Sequence, residues 1–139
     1  MTVSADRLLR RTLWGNAAFS VISGAVLAAF AGPFARAATD APVSVLGLDL
    51  ALLFGLLGVG VVAFGALCAW IASRSHLPQG LARLIFAADI AWVAGSVLVL
   101  ALPASWTTAG IAGIVVLALI VADLAILEYL GLRRMRAAN

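Results

Sequence analysis

The chain contains little charge and no lysine. Of its 139 residues only 11% are charged and 65% are hydrophobic, and all nine basic residues are arginines. Soluble domains carry about a quarter charged residues. The composition therefore excludes a water-soluble globular fold, a disordered chain and a nucleic-acid-binding module. The mean hydropathy of +1.16 instead indicates an integral membrane protein whose surroundings are the lipid bilayer, with no nucleic-acid partner.

Cysteine and histidine are nearly absent as well, with one residue of each type. Cys68 alone cannot form an internal disulfide, and His76 alone cannot supply a multi-histidine metal site or a bis-histidine haem. The lack of lysine excludes a retinal Schiff base. No Ser/His/Asp set is evident, and no glycine-rich phosphate loop can follow a strand because no strands are expected. We therefore predict no enzymatic activity, no cofactor and no bound metal.

Four apolar runs are long enough to cross a bilayer, which takes about 20 helical residues. Their approximate bounds are 13–34, 45–72, 84–102 and 107–130. Proline and glycine residues separate them, and no linker is long enough to fold on its own. We predict an all-α, integral membrane four-helix bundle that forms a single transmembrane domain over residues 1–139.

The arginines predict how the bundle is oriented. Eight of the nine lie at one end of the four spans, and only Arg36 lies at the other. The eight are Arg7, Arg10, Arg11, Arg74, Arg83, Arg133, Arg134 and Arg136. Positive charge is retained on the cytoplasmic side of a membrane. We therefore expect a multi-pass protein of a cell membrane, most simply a bacterial inner membrane, with both termini cytoplasmic.

The first span has an alternative interpretation as a secretory signal peptide. Arg10 and Arg11 precede an apolar run, and Ala35-Arg36-Ala37 resembles an A-x-A cleavage site. The apolar core of a signal peptide is about 7–15 residues long. The run in this chain is longer, about 20 residues, which favours a helix retained in the protein.

A shift of 73 residues aligns the first span with the third. The residue pairs that this shift superposes include Arg10 with Arg83, Asn16 with Asp89, Phe19 with Trp92, and Ser23 with Ser96. The matched spans run in the same direction, which is the pattern of a parallel tandem repeat of two helical hairpins. The alternative is a chance alignment of two helices rich in alanine and leucine.

Polar residues inside the spans are the candidates for a functional site, because an ionisable group in the bilayer is costly and normally faces the bundle interior. The candidate site comprises Asn16, Ser23, Asp89, Trp92, Ser96 and Asp123. Glu128 lies about 140° around its helix from Asp123 and is expected to reach a solvated interface. As neutral acids, Asp89 and Asp123 would form hydrogen bonds between helices. Alternatively, they would lie on a path for protons or a solute.

Small residues recur at spacings that predict close helix packing. On the first span they repeat every four residues, at Ser20, Gly24, Ala28 and Gly32. On the second they alternate steps of four and three, at Ala51, Gly55, Gly58, Val62, Gly65 and Ala69. The third span has a polar face and a small-residue face, so it can pack on two sides. One side would close the bundle and the other would meet a second protomer or a larger subunit.

These features favour a small polytopic membrane protein that acts as a non-catalytic accessory or structural subunit through helix packing in the bilayer. The alternative is a small oligomeric proton- or cation-coupled transporter or channel that uses Asp89 and Asp123. The length and the four spans are similar to those of small multidrug-resistance transporters. Those proteins carry a signature Glu in the first helix, where this chain has Asn16, so no family is assigned. Either function predicts a homo-oligomer or a larger membrane complex.

Overall fold

Five helices make up most of the chain. The computed structural model describes residues 6–102 and 104–137. Its helices are α1 (Arg7–Ala29), α2 (Ala31–Ala38), α3 (Leu50–Ala72), α4 (Gln79–Ala101) and α5 (Thr108–Ala137). All except α2 are long and apolar enough to cross a membrane. The all-helical class and the four candidate spans of a multi-pass membrane protein thus agree with the prediction.

The first two predicted spans are each wrong at one end, the end that lies farther from the eight arginines. Phe30, with φ −114° and ψ 25°, leaves the helical conformation, so residues 31–34 belong to the separate helix α2. Residues 45–49, predicted to begin the second span, lie in an antiparallel hairpin of β1 (Ser44–Val45) and β2 (Leu48–Asp49). The expectation of no strand is therefore wrong. A short apolar run has the same hydropathy in a strand as in a helix.

Local chemistry explains where this hairpin turns and where α3 begins. Leu46 and Gly47 both have positive φ, of 54° and 78°, as the central residues of a tight two-residue hairpin turn require. Asp49 follows directly, and its carboxylate accepts a hydrogen bond of 2.7 Å from the backbone N–H of Leu52. This N-cap satisfies a donor that the first turn of a helix leaves free.

The four long helices form two hairpins. We call α1 and α3, with α2 between them, the first hairpin, and α4 with α5 the second hairpin. Within each hairpin the two long helices pack on one another, and α5 also packs on α1.

The eight arginines share one end of the bundle, here called the arginine-rich end. The Arg10 guanidinium donates to the carbonyl oxygens of Ala72 and Arg74, which joins the start of α1 to the end of α3. At the same end, Gly131 of α5 lies directly against Leu9 of α1. The described ends of the chain therefore lie side by side, as an even number of spans predicts. The side of the membrane that this end faces stays a prediction.

The buried apolar core lies toward the arginine-rich end. Its largest fully buried apolar side chains are Leu9, Leu13, Ile71 and Ile85, contributed by α1, α3 and α4. Farther from this end a cavity lies between the helices, and it is described below.

Glycines bring α1 and α3 into backbone contact. A Cβ placed on Gly58 would lie 2.5 Å from the backbone nitrogen of Ala28 and 2.6 Å from the carbonyl oxygen of Gly24. A Cβ on Gly24 would lie 2.7 Å from the carbonyl oxygen of Gly58. These distances are shorter than any side chain tolerates, so the contact requires glycine on both helices. The predicted close packing of the first two spans is confirmed.

Candidate functional site

Three side chains from three helices form a buried polar cluster, which we call the Asn16 cluster. Asn16 on α1, Asp89 on α4 and Glu128 on α5 are 2%, 4% and 0% exposed. The side-chain nitrogen of Asn16, Nδ2, donates to Asp89 Oδ2 at 2.7 Å and to Glu128 Oε1 at 3.0 Å. An amide nitrogen carries two hydrogens, so Asn16 uses both of them and links the first hairpin to both helices of the second.

Ser20 fixes the orientation of the Asn16 amide. It lies one turn farther along α1, and its hydroxyl donates to Asn16 Oδ1 at 3.0 Å. Every donor and an acceptor of the Asn16 side chain are thus engaged. By contrast, Glu128 Oε2 is buried and has no hydrogen-bond partner within the described residues, so the cluster retains one unused acceptor.

Negative charge in the Asn16 cluster is not balanced by a neighbouring cation. In the described part of the chain the one ion pair joins Arg10 to Asp6, at the end of α1, and neither Asp89 nor Glu128 hydrogen bonds to a basic side chain there. Two ionised carboxylates that share one amide repel each other. A proton, or a positively charged ligand, removes that repulsion.

The Asn16 cluster lies at one end of a cavity of about 380 Å³ between the helices. Small-molecule sites in proteins have volumes of about 300–1,000 Å³, so this cavity is large enough for a ligand. It extends along α1 from Asn16 to Leu27, a rise of roughly 16 Å in a helix. Its polar lining residues are Asn16, Ser20, Ser23, Asp89 and Trp92. The other lining residues are apolar.

The structure brings together four of the six predicted site residues. Asn16, Ser23, Asp89 and Trp92 all line the cavity. Ser96 lies one turn beyond Trp92, and its hydroxyl donates to the Trp92 carbonyl oxygen at 2.9 Å. The pair aligned by the 73-residue shift, Asn16 and Asp89, is directly hydrogen-bonded.

Asp123 lies apart from the Asn16 cluster. Its side chain is exposed on α5, together with Val116 and Leu119, as helical spacing predicts for residues on one face. That face points outward, so Asp123 neither lines the cavity nor joins the buried acids.

The expectation that Glu128 is solvated is wrong. Its side chain is completely buried and accepts from Asn16. A signal for this was present in the sequence, because Val121, Ala125, Glu128 and Leu132 follow at steps of four, three and four and thus share one face of α5. All four are buried. The prediction took Asp123 to mark the inward face of α5, and Asp123 lies on the outward face.

Within residues 6–102 and 104–137, no three His, Cys, Asp or Glu side chains converge as a metal site would require. The two acids can accept and release protons, and Asn16 and Asp89, which line the cavity, can hydrogen bond to a ligand there. Comparisons with protein-family models, with curated proteins and with solved structures find no match to this chain.

Proposed function

We propose that this chain is a small membrane transporter that exchanges a solute for protons at the Asn16 cluster. The observation that carries the proposal is a pair of buried acids joined by Asn16, one of which, Asp89, lines a ligand-sized cavity. Ionisable residues within membrane-spanning helices are rare, and they mark substrate or proton paths.

The hydrogen bonds of the Asn16 cluster offer a way to couple a proton to the helices. An ionised carboxylate only accepts hydrogen bonds, whereas a protonated one can also donate. Asn16 donates to both acids, so their protonation changes the bonds that hold α1 to α4 and to α5. A solute that alters the charge in the cavity would shift the same equilibrium, which is the requirement for coupled transport.

The proposed orientation places the arginine-rich end in the cytoplasm. This orientation is inferred from the arginines, because eight of the nine lie at one end of the bundle. Cysteine labelling of Thr39→Cys and Ser75→Cys from outside intact cells tests it, since the two positions lie at opposite ends. We expect labelling at position 39 and none at 75. Labelling at 75 but not at 39 would reverse the orientation.

Proteoliposomes that contain a pH-sensitive dye test the transport proposal. Cationic, neutral and anionic solutes are added outside, and proton movement is compared with that in protein-free liposomes. We expect at least one solute class to drive proton movement. The double variant Asp89→Asn/Glu128→Gln should abolish the response, because neither amide side chain titrates.

Asp123→Asn is the matched control for this variant. Asp123 is an acid on the same helix as Glu128, but it is exposed and lies outside the cavity. Its replacement should leave solute-driven proton movement unchanged. Movement that persists in the double variant Asp89→Asn/Glu128→Gln, or that no solute class produces in the unaltered protein, contradicts the proposal.

A second candidate function, as an accessory subunit, is favoured by the exposure of α4. This helix buries only Ala82, Ile85 and Asp89, and its small residues Ala91 and Ala94 are exposed. Such a face suits close packing on another membrane helix. Purification in mild detergent tests this candidate. A partner protein present at constant stoichiometry and lost in Ala91→Phe supports it, whereas a monomer or homo-oligomer supports the transporter.

A further inference from the structure

We infer that the cavity accepts an organic cation with a flat aromatic body, and that this cation displaces a proton from the Asp89–Glu128 pair. The inference rests on the proposed transport function and names its substrate class.

Charge complementarity at the end of the cavity is the first argument. Asp89 lines the cavity and Glu128 lies behind it, both joined to the Asn16 nitrogen. The pair carries negative charge or protons and has no basic hydrogen-bond partner within the described residues. A cation at this end can take the place of a proton without adding net charge to a dry site. An anion would be repelled, and a neutral molecule would leave the proton where it is.

The walls of the cavity determine what kind of cation fits. Four of the eleven aromatic residues of the chain line it, namely Phe19, Phe34, Phe64 and Trp92. Aromatic faces attract organic cations and stack on flat apolar groups. A bare metal ion requires several oxygen ligands, and these walls are mostly hydrocarbon. The lining therefore favours a cation whose charge is attached to an aromatic body.

The acid pair and the groups beside it come from all four long helices. They are Asn16 from α1, Cys68 from α3, Asp89 from α4 and Glu128 from α5. Asn16 does not titrate, and the Cys68 thiol is intrinsically a weaker acid than either carboxylic acid. Among the described residues, the proton that a bound cation displaces therefore comes from one of the two acids. One cation bound for one proton released keeps the charge of the site constant.

Three probes with the same naphthalene body and different charges test the inference. They are (2-naphthylmethyl)trimethylammonium, neutral 2-naphthylmethanol and anionic 2-naphthylacetate. Binding to the full chain in detergent is measured by titration calorimetry in buffers of different ionisation enthalpy, which counts the protons released. The quaternary ammonium group does not titrate, so any proton released comes from the protein.

We expect the cation to bind at least about tenfold more tightly than the other two probes and to release about one proton. Its affinity should fall at least about tenfold from pH 8 to pH 5, because protons then compete for the acid pair. The affinity of 2-naphthylmethanol should not depend on pH. Equal affinity for the alcohol and the cation, or cation binding without proton release, would overturn the inference.

Variants separate a lost charge from a lost fold. In the double variant Asp89→Asn/Glu128→Gln, which leaves no titratable acid in the Asn16 cluster, the cation should lose at least about tenfold in affinity and release no proton. Retained binding of 2-naphthylmethanol shows that the cavity in that variant is intact. Asp123→Asn, the exposed acid of α5, should behave as the unaltered protein. Cation binding that is unchanged in the double variant would contradict the assigned site.

Two results distinguish the ligand class from the transport function. Cation binding with proton release, but no proton movement in proteoliposomes, would retain the ligand class and overturn transport. Proton movement driven by 2-naphthylmethanol and not by the cation would retain transport and overturn the ligand class.

Discussion

The two hairpins are held together in different ways. In the first hairpin, α1 and α3 meet at their backbones. A Cβ on Gly65 would lie 2.9 Å from the backbone nitrogen of Val21, and Gly24 and Gly58 are as tightly enclosed. In the second hairpin, a Cβ on Gly80, Gly95 or Gly113 would have no neighbouring atom within 4 Å. The first hairpin is a close-packed unit, and the second is not.

The glycines of α5 that lie against the backbone of another helix lie against the first hairpin. Gly131 lies against Leu9 of α1, and Gly110 against Ala38 of α2. α4 is held on α5 by side-chain contacts such as the Phe86 and Tyr129 rings, whose centroids are 6.1 Å apart. Segments with few buried contacts are the least stable parts of a protein. The difference indicates that α4 is the long helix most readily displaced, and it carries Asp89.

The largest expected effect tests the tight contact of the first hairpin. Gly58→Leu places a side chain where the backbone of Ala28 already lies. We expect a destabilisation of about 1–3 kcal/mol, the usual range for overpacking. Thermal unfolding in detergent measures it. Gly95→Leu is the matched control on α4 and should leave stability nearly unchanged. Equal effects in the two variants would remove the distinction between the hairpins.

A smaller effect is expected where α5 meets the first hairpin. Gly131→Leu would place its Cβ 2.8 Å from the Cβ of Leu9 and 2.9 Å from its Cα. The contact lies near the ends of both helices, where the chain yields more easily than at mid-helix. We therefore expect a loss of about 1 kcal/mol, seen as unfolding at lower denaturant. Gly113→Leu, at an open position of the same helix, should have no effect. A larger loss than in Gly58→Leu would make this contact the main one.

The smallest effect on stability is expected in the Asn16 cluster. Asp89→Leu removes one acceptor of Asn16, and hydrogen bonds between membrane helices average about 0.6 kcal/mol. Asp89→Asn retains an acceptor at nearly the same volume and should be neutral. Asp123→Leu, an exposed position, is the control for the loss of charge. Unfolding titrations in detergent rank the three. A loss from Asp89→Leu above that from Gly58→Leu would show that the cluster, and not glycine packing, dominates.

Much of the architecture was predictable because it depends on composition along the chain. The length of an apolar run predicts a span, and the arginines mark the helix ends that lie together, as the contact of Leu9 with Gly131 confirms. The spacing of Gly24 and Gly58 predicted close packing because small residues at regular steps permit backbone contact. The burial of Asn16 and Asp89 was predictable because polar groups in a span need partners.

The sequence alone determined that four long apolar helices form and which of their ends meet, because hydropathy and charge act on each segment without reference to its neighbours. It did not determine the break at Phe30 or the hairpin of β1 and β2. Only the tertiary structure decided which faces point inward. The helix α5 carries apolar residues on all sides, so its pattern does not distinguish a face toward lipid from one toward protein. Glu128 is buried and Asp123 is exposed because α5 turns the stripe of Val121 and Ala125 toward the other helices. The acid pair that Asn16 joins is therefore a product of packing.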